Sequence, residues 1–192
     1  MSGFALSLEE RRGLLKLALS ALTARVERGE TYIPEESEIT DGMRQQAGAF
    51  VTLHRQGALR GCIGEIYPSR AVYAAVLDHA VNAAVHDPRF PSVQAEELPS
   101  IELEISVLTP PHRIDSWREI EIGRHGVVLR KRGRSAVFLP QVAPEQGWDV
   151  ETMLAHLALK AGLSADAWWE GAVFEVFEAI VFSERAFGSA GQ

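Results

Sequence analysis

Ile101-Glu102-Leu103-Glu104-Ile105-Ser106-Val107 alternates apolar and polar side chains without a break. Successive side chains of a strand point to opposite faces, so this stretch predicts a β-strand with one face buried and the other wet. Such a strand belongs to an antiparallel sheet, because strands of parallel sheets are covered on both faces and read as continuous apolar runs. Around it, strands and helices mix without a regular βαβ rhythm. The predicted fold class is α+β, a mostly antiparallel sheet with flanking helices and a smaller β-rich lobe.

On the N-terminal side, residues 50–54 form a short β-type run. Residues 59–66 form a second with glycines inside it, and Gln56-Gly57 between them suits a hairpin turn. Residues 70–86 predict a helix, with Val72, Ala75, Val76, His79, Ala80 and Ala83 on one face. Asp87-Pro88-Arg89-Phe90-Pro91 stops it with two prolines. Further upstream, Ser7-Leu8-Glu9-Glu10 is a capping-box pattern that opens a helix over about 7–28, with Leu14, Leu17, Ala18, Ala21, Leu22 and Val26 at helical spacing. Residues 30–47 read as a polar connector with one short helix.

On the C-terminal side, Thr109-Pro110-Pro111 marks a corner and residues 112–123 read as irregular. Val127-Val128-Leu129 and Ala136-Val137-Phe138-Leu139 predict a hairpin around the basic turn 130–134. Asp149 is placed to cap a helix over 150–161, with Lys160 in its last turn and Gly162 just beyond. Residues 173–182 predict one final strand, and 187–192 a frayed tail. The expected organisation is a single domain, with a larger lobe of about 1–110 and 150–186 and a smaller lobe of about 111–149.

Composition bounds the function. The 192 residues are 46% hydrophobic and 23% charged, the profile of a soluble globular protein. One cysteine excludes an internal disulfide and a zinc site built mainly of thiolates. No apolar run approaches the ~20 residues of a membrane helix. Met1-Ser2-Gly3-Phe4 has no basic stretch of the secretory kind, so a cytoplasmic setting is expected. A net charge of −7 argues against a protein that coats nucleic acid. P-loop, G-x-G-x-x-G, H-E-x-x-H and G-x-S-x-G signatures are all missing.

Arg60-Gly61-Cys62-Ile63-Gly64 is the stretch richest in chemistry. Glycine weakens a strand unless the backbone bulges or something comes close. The only cysteine between two glycines reads either as an exposed nucleophile or metal ligand, or as a small packed thiol. Arg60, two residues away, is expected on the same strand face. The 87–91 loop offers an acid, a guanidinium and a ring, which suit an anionic or planar ligand or pair among themselves. His54 precedes the turn and His86 adjoins Asp87, so each is a candidate base for the thiol, with Asp87 orienting. Arg130-Lys131-Arg132-Gly133-Arg134 reads as a holder of phosphate or an RNA backbone, or as a solvated hairpin tip. Gln141 presents an amide to a ligand or satisfies local backbone.

Leu59-Arg60-Gly61-Cys62-Ile63-Gly64 resembles the signature hexapeptide of the AMMECR domain family. Phe50-Val51-Thr52-Leu53, Asp87-Pro88-Arg89-Phe90, Ile105-Ser106-Val107-Leu108-Thr109, Phe138-Leu139-Pro140-Gln141-Val142 and Lys160-Ala161-Gly162-Leu163 agree in order. The resemblance covers most of 7–185 and is nearest to the AmmeMemoRadiSam branch. It implies two lobes, a cleft lined by the hexapeptide, and Memo-like and radical SAM proteins as partners. At the position before Gly126 the chain departs from the family pattern, with His125 in place of Asp. The expectation is a cysteine-dependent enzyme, acting by group transfer or hydrolysis on an anionic substrate of the nucleotide or nucleic-acid kind. Cys62, His54, His86 and Asp87 are then catalytic, and Arg60, Gly61, Gly64, Arg89 and Gln141 bind substrate. The alternative is a binding module for a partner protein or RNA. No metal ligand set and no cofactor is named, and a homodimer is the expected self-association.

Overall fold

The computed structural model describes residues 5–184. The tail expected at 187–192 and the first four residues lie outside them. The chain divides into two compact units. The first runs to Val107 and resumes at Ile180; the second is Leu108–Ala179.

The first unit opens with α1, Leu8–Arg28. Its first turn is held by the expected capping box: the Glu10 N–H donates to Ser7 Oγ and the Ser7 N–H to Glu10 Oε2, at 3.2 and 2.7 Å. Gly29 ends it at φ 71°. The connector holds two 3₁₀ turns, Glu36–Glu38 and Gly42–Arg44. A hairpin follows: β1, Gly48–Arg55, and β2, Ala58–Glu65. Gln56 and Gly57 both take positive φ, the geometry that matches the twist of a two-residue hairpin. Next come α2, Val72–Val85, and β3, Ile101–Leu108. With β8, Ala179–Ser183, these strands form a four-stranded antiparallel sheet of order β2-β1-β3-β8.

Helices α1 and α2 pack together, and α2 lies on β1 and β2. Leu14, Leu17, Leu22, Val51, Leu53, Val76, Leu103 and Ile105 meet in the core. The alternation of β3 holds over its first half. Beyond it Ser106 and Leu108 are buried as well, so the wet face closes at its C-terminal end.

The second unit contains β4, His112–Ile114; β5, Gly126–Lys131; β6, Arg134–Phe138; α3, Val142–Gln146; α4, Val150–Lys160; and β7, Val173–Phe177. Its antiparallel sheet has the order β4-β7-β5-β6. Asp149 caps α4 as expected, accepting from the Thr152 N–H at 2.8 Å. Met153, Leu154, Leu157 and Ala158 of α4 pack with Val127, Leu129, Trp168 and Val176.

Three expectations are corrected. Residues 112–114 form a strand where an irregular segment was predicted; three residues are too few to show an alternation. The single strand over 173–182 is two, β7 and β8, which serve different sheets on either side of Glu178. Residues 150–179 therefore belong to the second unit and not to the larger lobe, because the apolar faces of α4 and β7 complete the second core. The chain enters and leaves this unit at one point. The Thr109 N–H donates to the Glu178 carbonyl at 2.9 Å, and the Glu178 N–H to Thr109 Oγ1 at 2.8 Å.

Candidate functional site

The hexapeptide lies on β2, the edge strand of the first sheet. An unpaired edge exposes backbone donors and acceptors. Here the 87–91 loop covers it. Asp87 Oδ2 accepts the Cys62 N–H at 2.9 Å, and Arg89 Nη2 donates to the Cys62 carbonyl at 3.2 Å. Arg60 Nη1 donates to the Pro91 carbonyl at 2.9 Å. Asp87 and Arg89 thus stand in for a neighbouring strand at Cys62.

The two are also paired with each other. Arg89 Nε reaches Asp87 Oδ1 at 2.9 Å and Nη2 reaches Oδ2 at 2.6 Å, a bidentate fork. The Asp87 side chain is 2% exposed, that of Arg89 55%. The Arg89 hydrogen bonds, followed by the backbone N–H groups of Cys62 and Arg89, hold the Asp87 carboxyl far below the usual carboxylate range against the effect of burial.

The register around the thiol is irregular. Thr52 lies opposite Cys62 and Leu53 opposite Gly61, but His54 lies opposite Leu59. Arg60 is the extra residue, a β-bulge. The simple alternation that would place Arg60 on the Cys62 face is broken there. Its guanidinium binds Glu97 instead, at 3.0 Å (Nε–Oε1) and 2.9 Å (Nη2–Oε2), with Arg55 adding a third contact at 2.8 Å. The side chains of Arg60 and Glu97 are 12% and 13% exposed.

Gly61 and Gly64 serve packing. A Cβ on Gly61 would lie 2.1 Å from the Ala83 carbonyl oxygen, so only glycine lets α2 come this close. A Cβ on Gly64 would strike the Phe50 ring at 2.3 Å. Cys62 therefore shares its face with Phe50, Thr52 and Gly64, away from Gly61 and α2. Its thiol is half-buried, and Thr52 Oγ1 donates to Sγ at 3.3 Å.

Among the described residues no hydrogen bond or ion pair joins His54 or His86 to Cys62 or Asp87. His86 is exposed and its Nδ1 lies 2.8 Å from Asn82 Oδ1. His54 lines a separate pocket of about 200 Å³ with Glu102, Glu104 and Ser183. His79 is a core histidine, 5% exposed, with neither ring nitrogen hydrogen-bonded; burial, then the Arg70 charge, lowers its pKa. Gln141 lies in the second unit, where its buried Oε1 has no partner among the described residues. His125 Nδ1 accepts the Glu121 N–H at 3.2 Å and closes a local turn. No group of three or more His, Cys, Asp or Glu is gathered as a metal ion would require among the described residues. No helix among them is long and apolar enough to cross a membrane.

Sequence reasoning missed Thr52 and Glu97. Glu97 carries a testable signature. Hydrogen bonding to Arg60, then the Gln94 N–H and the charges of Arg60 and Arg55, lower its pKa to about 2. Its folded value lies below its unfolded value of about 4.3. The stabilisation is therefore complete above about pH 4.3 and is lost as the pH falls towards 2. In thermal melts, Glu97→Gln is expected to lower Tm most above pH 5, with the gap to the wild type closing near pH 2. A gap independent of pH would show that the charge of Glu97 does not act through Arg60.

The family described as AMMECR1 matches residues 15–182. A protein of Methanosarcina mazei is 39% identical over 183 residues, covering 92% of each chain. One of Methanopyrus kandleri is 42% identical over 194 residues, covering 95% of this chain and 92% of its own. The crystal structure of an uncharacterized protein from Pyrococcus horikoshii matches with a TM-score of 0.82 at 38% identity, over 89% of both chains.

Proposed function

Since the chain belongs to the AMMECR1 family, we propose that the stretch its resemblance rests on is a thiol site. In this reading the Cys62 sulfur bonds to the electrophilic centre of an anionic substrate as the bond to its leaving group breaks, and that group departs with a proton from water. Water or a second acceptor then displaces the sulfur, and Arg89 binds the anion. The observation that carries the reading is the pair of groups directed at Cys62. The Thr52 hydroxyl donates to the sulfur. The Arg89 guanidinium, raised in pKa chiefly by Asp87 and in smaller part by Cys62, keeps more than half of its side chain in solvent. The Arg89 charge interacts with Cys62 and stays open to solvent, where it can hold an anion brought to the sulfur. Asp87 acts here as a positioning residue: it holds the Cys62 N–H and the Arg89 fork. The thiol proton leaves to solvent, since neither candidate histidine is bonded to it.

That missing base favours a second reading. A binding module with a structural thiol would use the same framework to hold a partner, a Memo-like or radical SAM protein or an RNA.

Alkylation separates the two, because the chain has one cysteine. Iodoacetamide is expected to modify Cys62 in the folded protein. Anionic iodoacetate is expected to gain about fivefold over iodoacetamide relative to the unfolded chain, the factor of ~1 kcal/mol that one charge at about 4 Å supplies in water. Arg89→Ala removes that preference. A thiol that is silent until unfolding overturns the enzyme reading and leaves the binding module.

A further inference from the structure

The basic hairpin turn is not absorbed by the thiol site, and it faces a pocket of its own. The β5–β6 turn and the 162–170 loop line an open pocket of about 750 Å³, within the size range of small-ligand sites. Lys131, Arg132 and Arg134 line it. None of the three forms an ion pair among the described residues, whereas the neighbouring Arg130 pairs with Glu175 at 3.1 Å. Lys131 Nζ donates instead to the carbonyls of Ala167 and Glu170 at 2.7 and 2.6 Å. Arg134 Nη1 donates to the Gly162 carbonyl. Carbonyls fix these side chains and leave Arg134 without an ion pair among the described residues; the Lys131 charge acts on Asp166, which lines the same pocket with Glu170. Gly162 is suited to this twice over: it sits at φ 73°, and a Cβ there would lie 2.4 Å from Arg134 Nη1. Arg132 is exposed at the tip of the turn, at φ 50°.

The opposite wall carries an exposed ring. Trp169 lines the same pocket and is 62% exposed. Two other indoles hold it in place: Trp168 at 5.2 Å, edge-on, and Trp117 at 6.1 Å. Trp168 is buried, so Trp169 is the outward member of a packed trio. A large ring fixed in place and left in water is a stacking platform. Asp166 also lines the pocket, and its carboxyl is held below the usual range chiefly by a hydrogen bond from Ser164. It supplies an acceptor that is ionised at neutral pH.

Two arginines without an ion pair among the described residues, a fixed aromatic face and an acceptor carboxylate suit one ligand chemistry. We propose that this pocket binds a phosphorylated nucleoside, free or within RNA. The phosphate lies on Arg132 and Arg134, the base stacks on Trp169, and Asp166 accepts from a ribose hydroxyl or a base N–H.

Calorimetric titration of the full chain tests this with AMP and GMP, with adenosine and ribose 5-phosphate as half-ligands, and with a short oligouridylate. Saturable nucleotide binding is expected, weakening as salt is raised. Each half-ligand should bind more weakly than AMP. Arg132→Gly and Trp169→Ala should each weaken binding about tenfold, in line with the loss of one charge-assisted or stacking contact. Glycine suits the positive φ of residue 132, so a loss in that variant does not reflect a broken turn. If only the oligouridylate binds, with the same sensitivity to both substitutions, the ligand is RNA rather than a free nucleotide. Absence of saturable binding by both nucleotides and RNA, or affinity unchanged in Arg132→Gly, overturns the proposal.

Discussion

Gly61→Ala is expected to destabilise the protein by about 3 kcal/mol or more, at the upper end of what overpacking costs. The added methyl meets the Ala83 carbonyl oxygen at 2.1 Å and its carbon at 3.1 Å. Both atoms are backbone, so no side-chain rotation relieves the clash. Helix α2 has to move, and it carries Val76, Ala80 and Ala83 of the first core. Gly57→Ala is the matched control. It lies in the same hairpin at φ 79°, with nothing within 4 Å of its Cβ. It should cost only the left-handed penalty, about 1–2 kcal/mol. Denaturant unfolding of both variants measures the difference. Equal losses would mean that α2 and β2 are not packed backbone to backbone at this point. The result also bears on function: lost activity in a Gly61 variant would report a displaced helix and not a missing substrate contact.

Asp87→Ala is the second large effect, about 2–3 kcal/mol. The substitution leaves the Cys62 N–H without its acceptor and the Arg89 guanidinium without its partner. An orphaned buried donor costs ~1–3 kcal/mol. Breaking a fully buried pair costs ~3–5 kcal/mol, discounted here because Arg89 is half in solvent. Asp87→Asn retains an acceptor but turns an amide N–H₂ towards a donor, so it should fall between the wild type and the alanine variant. Thermal melts give the order. If Asp87→Asn keeps native stability and loses all activity, Asp87 is a catalytic group after all and the positioning role fails.

Local chemistry was legible in the sequence. The Ser7 to Glu10 box, the Gln56-Gly57 turn, the hairpin around 130–134, the Asp149 cap and the first half of the 101–107 alternation each depend on residues close in the chain. What was hidden depends on distance or on a single irregularity. Counting back from the Gln56-Gly57 turn places Thr52 opposite Gly61; the bulge at Arg60 shifts it by one residue, onto Cys62. No pattern in the sequence announces that shift. Arg60 and Glu97 are 37 residues apart, so their pairing shows only once β2 and the 3₁₀ turn at Ala95–Ser100 are folded together. Glu178 divides two β-branched runs with neither glycine nor proline to mark the change of sheet. Within the hexapeptide the glycines serve a helix and a ring, and the arginine serves a glutamate, roles that only the folded chain displays. Nothing in the sequence marks Trp169 as outward-facing, because exposure is a property of the fold.

The hydrogen bonds between Thr109 and Glu178, 69 residues apart in sequence, bear on how the chain is made. On the ribosome the first unit emerges without β8, and β3 is left as an open sheet edge, prone to wrong pairing. It stays open while all of the second unit is synthesised. Once that unit folds, it returns the chain to within a hydrogen bond of where it departed, and the long loop that β8 would otherwise have to close is already shut. Nascent protein from a variant with a damaged second core should therefore keep that edge open longest, and should be the form that chaperones and proteases meet first.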